Sequence, residues 1–190
     1  VAGITLLAGF VKGAVGFAMP MIMVSGLGSF LPPEIALAAL ILPTLVANLV
    51  QSVRDGLGAA LGVARRFWVF ILMMLVFLLS SAQLVNLIPD QALFLAIGGP
   101  ILVFALFQLT GWRLNLAPEN RLRDELALGG VAGFVGGVSG VWGPPLVAYL
   151  VAIDAEKRAA IRAQGVIYGI GAVALLFAHL RSGVLNTGTL

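Results

Sequence analysis

The sequence contains no cysteine, and only 10% of its 190 residues are charged. The absence of cysteine excludes disulfides and thiolate metal sites. The scarcity of charge excludes a water-soluble fold, because a soluble domain needs a charged coat and is typically about 25% charged. Hydrophobic residues make up 61% of the chain, and its mean hydropathy is +1.09. The surface of this protein must therefore face lipid.

Several signals of other functions are also missing. Lysine and arginine outnumber the acidic residues by 11 to 8, but they form no basic run with exposed aromatics of the kind that binds nucleic acid. They lie in short gaps between apolar stretches, where such charges set membrane orientation. The start of the chain lacks the features of a secretory signal. Metalloprotease, P-loop and dinucleotide motifs are absent, so we expect no enzyme, no metal and no cofactor.

Four segments have the roughly 20 apolar residues that a helix needs to cross a bilayer. They are residues 35–53, 67–87, 92–112 and 159–180. The gaps between them contain prolines, glycines and most of the charges. The sequence therefore predicts an all-α fold, a polytopic bundle of transmembrane helices.

Residues 1–30 and 126–153 do not fit this pattern, because each segment is long for one crossing and short for two. Each is interrupted near its middle by glycines that are followed by a proline. Between residues 9–20 and 133–144, six of twelve positions are identical at a constant offset of 124. Features downstream keep nearly the same spacing, which chance similarity between glycine-rich helices does not explain. The sequence thus predicts an internal duplication with broken helices.

The duplication divides the chain into a first repeat at 1–112, a cytoplasmic linker at 113–125 and a second repeat at 126–190. Repeat 1 has a broken hairpin and three membrane helices, whereas repeat 2 has a broken hairpin and one helix. The counterparts of the last two helices of repeat 1 would begin just beyond residue 190. We therefore expect this sequence to be an incomplete version of a longer protein.

Each broken segment either crosses the membrane once or enters and returns as a re-entrant hairpin. Positive residues collect on the cytoplasmic side of a membrane protein, which distinguishes the two arrangements. Two re-entrant hairpins place nine basic residues on one side and one on the other, whereas two single crossings divide them seven to three. We therefore expect re-entrant hairpins. The three crossings between them would make the two copies inverted, a recurrent design in transporters.

The break in each hairpin predicts an anion site. Pro20 and Pro144 suit the first turn of each second arm, so both helix N-termini would point to mid-membrane. Such ends combine a positive dipole with free N–H groups, and glycines let the backbone approach an ion. Lys12 is the one charged residue deep within an apolar segment, and it would supply counter-charge. The candidate binding residues are Lys12, Gly13, Gly16, Pro20, Asn48, Gln51, Gly137, Ser139, Gly140, Trp142, Pro144 and Gln164.

Alternatives to this interpretation stay open. Carbonyls at the ends of the first arms could bind a cation or a proton-carrying group, and Lys12 could snorkel to the interface. The Gly-x-Ser-Gly motif at Ser139 resembles that of rhomboid intramembrane proteases. In that interpretation His179 would be the catalytic histidine that activates the serine. We expect no contact between these two residues, because His179 would be an interfacial residue at the outer end of its helix. A scaffold that transports nothing would pack the two motifs without a cavity.

The stretches from Gly9 to Pro20 and from Gly133 to Pro144 resemble the two glycine-rich motifs of the sulfite exporter TauE/SafE family. The resemblance covers nearly the whole chain. It implies about eight membrane segments in the complete protein and export of a small sulfur-containing anion, such as sulfite or an organosulfonate, across the bacterial inner membrane. The first copy departs from the family by having Phe17-Ala18-Met19 where glycines are common. The expected partners are the anionic substrate and the lipid bilayer, without nucleic acid, and a homodimer is compatible with the sequence.

Overall fold

The computed structural model describes residues 2–111 and 114–185. Within these residues the chain forms nine α-helices and no strand, which confirms the predicted all-α fold. Short 3-10 turns lie at Ala82–Leu87 and Pro118–Asn120. The helices are α1 (Ala2–Val15), α2 (Met19–Gly28), α3 (Pro33–Val53), α4 (Leu57–Arg66), α5 (Trp68–Ser81), α6 (Asp90–Thr110), α7 (Arg121–Ser139), α8 (Gly143–Ala152) and α9 (Lys157–Ser182).

Four helices are long and apolar enough to cross a membrane: α3, α5 with the turn that follows it, α6 and α9. They coincide with the four predicted spans, which are thereby confirmed. Large apolar side chains such as Leu6, Leu95 and Leu109 point outward and are at least 75% exposed. In a bilayer these side chains face lipid, as the composition requires.

The first broken segment is a hairpin of α1 and α2. Helix α1 ends at Val15, and the left-handed backbone of Gly16 (φ 86°) and Ala18 (φ 76°) reverses the chain before α2 begins. A Cβ added to Gly26, near the end of α2, would lie 3.0 Å from Cγ2 of Ile4, near the start of α1. The chain therefore returns to the end of the bundle from which it came, as predicted.

The second broken segment is a hairpin of α7 and α8 with the same construction. Helix α7 ends at Ser139, Gly140 adopts a left-handed conformation (φ 71°), and α8 begins three residues further on, at Gly143. The hydroxyl of Tyr149, late in α8, donates to Oε1 of Glu125, early in α7, over 2.9 Å. This hairpin also returns to its starting end. Helix α7 begins at Arg121, inside the segment 113–125 that the sequence assigns to a linker.

Polar contacts show which helix termini share an end of the bundle. Arg162 at the start of α9 forms an ion pair of 2.6 Å with Asp55, just after α3. The guanidinium of Arg121 at the start of α7 donates to the backbone oxygen of Arg66, just before α5. Helices α5 and α9 run parallel, because the Asn86 amide beyond α5 donates to a carbonyl at the end of α9. We call the end that holds Arg54, Arg66, Arg121 and Arg162 the arginine-rich end.

The two hairpins enter the bundle from opposite ends. The hairpin of α7 and α8 starts and finishes at the arginine-rich end. Helix α3 reaches that end only at its C-terminus, and α2 leads directly into the start of α3. The hairpin of α1 and α2 therefore starts and finishes at the other end, and the predicted inverted arrangement is confirmed.

A stripe of glycines on α7 holds the second hairpin against α5. Gly129, Gly133 and Gly137 are four residues apart, so they share one helix face. A Cβ added to Gly133 would lie 2.2 Å from the backbone oxygen of Met74, and at Gly129 and Gly137 the corresponding α5 oxygens lie at 2.6 and 2.4 Å. Small residues allow the backbones of membrane helices to touch in this way. The contact fixes the depth at which α7 ends.

The buried hydrogen bond inside the second hairpin should contribute measurably to stability. Glu125 is buried and also accepts from Nε of Arg121 over 2.8 Å. We expect Tyr149→Phe to destabilise the protein by about 1.5–3 kcal/mol, the usual range for a hydrogen bond to a charged group. Thermal unfolding in detergent measures the loss. The control is Tyr168→Phe, which removes a 3.3 Å bond to the neutral carbonyl of Gly143; equal losses would contradict the assignment.

Candidate functional site

The tips of both hairpins meet at one small cavity between α3 and α9. Its volume is about 20 Å³. The first hairpin contributes five of its lining residues and the second contributes three, whereas the scaffold alternative expects no cavity there. The lining residues are Lys12, Phe17, Ala18, Pro20, Met21, Asn48, Val141, Trp142, Gly143 and Tyr168.

Lys12 is buried in the wall of this cavity. Its side chain is 6% exposed, and Nζ donates to Oδ1 of Asn48 over 2.5 Å. The ammonium also lies 5.5 Å from the ring centroid of Tyr168. Among the described residues, no carboxylate lies within ion-pair distance of Lys12. The lysine does not snorkel to the interface, and its charge has no protein counter-ion in the described part of the chain.

The N-termini of α2 and α8 both open on the cavity, but they offer different donors. The first N–H groups of a helix have no partner inside it, which leaves the amides of Met19 and Met21 available at α2. Helix α8 begins Gly-Pro-Pro, and two of its first three positions therefore have no N–H to offer. The indole Nε1 of Trp142 is buried and has no hydrogen-bond partner among the described residues. This nitrogen lies against α9, 2.8 Å from the position that a Cβ on Gly171 would take, so the second hairpin contributes an aromatic ring to the cavity wall where the first contributes backbone donors.

A pair of glutamines lies beside the first tip. Nε2 of Gln51 donates to the backbone oxygen of Gly16 over 3.1 Å and to that of Ile161 over 3.2 Å. Oε1 of Gln164 lies 3.0 Å from the position that a Cβ on Gly16 would take. In the described part of the chain, the Oε1 atoms of both glutamines are buried without a partner. The pair connects α3 and α9 to the end of α1.

Eight of the twelve predicted site residues do not line the cavity: three of them, Gly16 and the two glutamines, lie beside the first tip, and five lie elsewhere. Gly137 packs on α5, and Gly140 lies against the side chains of Leu37 and Leu40. Pro144 lines a separate apolar cavity of about 230 Å³ beside α6, and Gly13 faces open space. The physical reason is helix geometry: a motif of twelve residues covers all faces of a helix, and only one face can line a cavity.

Ser139 does not line the cavity, and its hydroxyl forms two hydrogen bonds with the backbone. Its Oγ donates to the carbonyl of Val135 over 2.7 Å and accepts from the amide of Val141 over 3.1 Å. His179 contacts Ser182 through Nδ1. No hydrogen bond joins Ser139 to His179 among the described residues, so the pair lacks the contact that a protease needs. His179 lies in the last turn of α9, at the end of its helix as expected, and its side chain is fully buried within the protein.

Tyr168 belongs to the cavity wall, although the sequence did not assign it to the site. Its hydroxyl donates to the carbonyl of Gly143, and its ring meets that of Trp142 edge to face at 6.4 Å. The spacing of Tyr168 from Gln164 was the available signal, since residues four apart share a helix face.

The family comparison agrees with this architecture. The sequence model of the family described as Sulfite exporter TauE/SafE matches residues 1–190, the whole chain. No curated protein and no solved structure matches the chain significantly. The resemblance seen in the two glycine-rich motifs is thereby confirmed.

Proposed function

Because this chain belongs to the sulfite exporter TauE/SafE family, a family of membrane transporters, we propose that it exports sulfite or an organosulfonate across the bacterial inner membrane. The anion binds at mid-membrane, between the tips of the two hairpins. Lys12 supplies the positive charge, the N-termini of α2 and α8 supply dipoles, and that of α2 supplies most of the backbone N–H donors. Asn48 orients the ammonium, and the ring of Trp142 forms part of the wall on the side of the second hairpin.

The observation that supports this proposal is the buried charge of Lys12. An ammonium taken out of water costs several kcal/mol unless it is paired, and the described residues offer it only the neutral oxygen of Asn48 and the ring of Tyr168. An anion 4 Å away would contribute about 4 kcal/mol of attraction at an effective dielectric constant of 20. A charged ligand therefore compensates the lysine, and the lysine in turn holds the ligand.

The size of the cavity indicates a closed state. A volume of about 20 Å³ holds roughly one water molecule, whereas sulfite has four heavy atoms. The two tips must therefore separate when the anion enters. The non-helical backbone at Gly16 and Gly140 allows each second arm to change direction without unwinding a helix. Such movement of one repeat against the other is the usual route to alternating access.

Transport by the purified protein in liposomes tests the proposal. Vesicles loaded with sulfite, methanesulfonate, sulfate or chloride are diluted, and release of each anion is followed over time. We expect saturable release of sulfite or the sulfonate, at about tenfold or more the rate of chloride, because a site with several N–H donors discriminates against an ion of different shape. Release of both sulfur anions at the rate of protein-free liposomes would refute the proposal.

A further inference from the structure

A second space of about 250 Å³ runs past Lys12 and reaches Arg54 at the arginine-rich end. It is a groove between α1 and α3, and Gly9, Gly13, Ala47, Gln51 and Arg54 line it together with Lys12. Arg54 lies where α3 ends, at the arginine-rich end, and Lys12 lies deep in the bundle. The groove therefore connects the surface of the protein with the wall of the central cavity.

Small residues keep this groove open. A Cβ added to Gly9 or Gly13 would meet no atom within 4 Å, so no neighbouring side chain fills the space in front of these glycines. The facing wall includes the small side chain of Ala47. The glycines of α7 behave differently, because there the backbone of α5 occupies the space. The groove is large enough for sulfite, which the cavity is not.

The charge of the groove favours anions. Arg54 and Lys12 are the charged residues among those that line it, and both are cationic. Asp55 lies next to Arg54, but its carboxylate is paired with Arg162 over 2.6 Å. This hydrogen bond holds the pKa of Asp55 below its ordinary value, so the ion pair persists at neutral pH. A cleft lined by positive charge raises the local concentration of anions.

Two hydrogen bonds between α1 and α3 close the inner end of the groove. One joins Lys12 to Asn48, and the other joins Gln51 to the carbonyl of Gly16. Lys12 lines the groove and the cavity alike. Among the described residues, the closed arrangement leaves Oε1 of Gln51 and of Gln164 buried without partners, and water entering from the groove would satisfy both. Opening this barrier breaks two hydrogen bonds and lets water pair with two buried oxygens, so its net free-energy cost is small.

We propose that this groove is the route by which the anion reaches Lys12 from the arginine-rich end, and that the Gln51 amide is the barrier at its inner end. The inference rests on the proposed function, since it needs an anion that binds at Lys12. By the distribution of positive charge, the arginine-rich end is the cytoplasmic one, and the groove is the entrance for export.

Single cysteines test the route, because the native sequence has none. Ala47→Cys places a thiol in the groove, and Val46→Cys is the matched control, since Val46 is the adjacent residue and is 62% exposed to the outside of the bundle. The probe is the anionic thiol reagent methanethiosulfonate ethylsulfonate, applied to either side of oriented vesicles. We expect Ala47→Cys to react about tenfold or more faster than Val46→Cys, from the arginine-rich side alone, and added methanesulfonate, which reacts with neither the thiol nor the reagent, to slow the reaction.

The barrier is tested by a thiol beyond it. Val141→Cys is close in size to the native side chain and lines the central cavity. We expect the added substitution Gln51→Ala to raise its labelling rate about tenfold, by opening the groove into the cavity. Each variant is first shown to elute as a folded protein. Equal labelling of Ala47→Cys and Val46→Cys, with sulfite transport intact, would overturn the route and leave the proposed function standing. Labelling of Ala47→Cys without sulfite transport by the native protein would overturn both.

Discussion

Replacing Lys12 by methionine should reduce sulfite transport about 30-fold or more, which corresponds to about 2–5 kcal/mol for loss of one partner of a buried charge pair. Methionine has nearly the length and shape of lysine, so it fills the same space without the ammonium. The anion would then face the helix N-termini and Trp142 without a formal positive charge nearby. Initial rates of sulfite release from liposomes, at several sulfite concentrations, measure the effect.

Two further substitutions separate charge from structure in this experiment. Lys12→Arg keeps the charge and should retain part of the transport, whereas Lys157→Met removes the other lysine, which is exposed at the start of α9, and should change nothing. Lys12→Met should be at least as stable as the native protein, because an unpaired buried charge disappears. A folded Lys12→Met variant that transports sulfite at the native rate would remove the main support for the proposed site.

Gly133→Ala should destabilise the protein strongly, although it adds only one methyl group. The new Cβ would lie 2.2 Å from the carbonyl oxygen of Met74, and a methyl group has no rotamer that avoids a backbone atom. Helices α5 and α7 would have to separate, and overpacking of this kind costs about 3 kcal/mol. The midpoint of thermal unfolding in detergent should fall accordingly, and transport should fall with it because the tip of the second hairpin moves.

Gly98→Ala is the matched control for this clash. Gly98 lies within α6, and a Cβ there would meet nothing within 4 Å. Alanine is favoured over glycine in a helix interior by about 1 kcal/mol, so this variant should be equal to or slightly more stable than the native protein. Similar unfolding midpoints for Gly133→Ala and Gly98→Ala would show that the contact between α5 and α7 does not hold the bundle together.

Much of the fold is predictable from the sequence, because the bilayer imposes lengths and charges that can be counted. The four spans follow from runs of apolar residues, and the two breaks follow from glycines before Pro20 and Pro144. The inversion follows from the positions of the basic residues. Helix α4 and the start of α7 do not follow, since their charged residues are equally typical of a loop. Glu125 is buried because Arg121 and Tyr149 pair with it, and these are tertiary contacts.

The candidate site was predictable in part. Lys12 could be identified because a single charged residue within an apolar segment is usually functional. Asn48 could be identified as a polar residue within a membrane span. The rotation of each helix about its axis is set by packing against neighbours, so the sequence could not tell which motif residues face inward. The set of site residues predicted from the sequence therefore contains Gly137 and Pro144, which do not line the cavity, and lacks Tyr168, which does. The groove beside Gly9 exists because no side chain packs in front of that glycine. No local sequence pattern predicts the absence of a tertiary contact.

The two hairpins are packed against the rest of the bundle to different extents, and this difference bears on which of them can move. In α1 the buried residues are Ala8 and Lys12, whereas nine residues of α7 are buried, several of them glycines in contact with the α5 backbone. Displacing α7 would break a tightly fitted contact between backbones, whereas α1 is held by hydrogen bonds at Lys12 and Gly16, and the buried side chains of the first hairpin lie mostly in α2. In the proposed transport cycle we therefore expect α1 to move, with α5, α7 and α9 as the stationary frame against which it tilts.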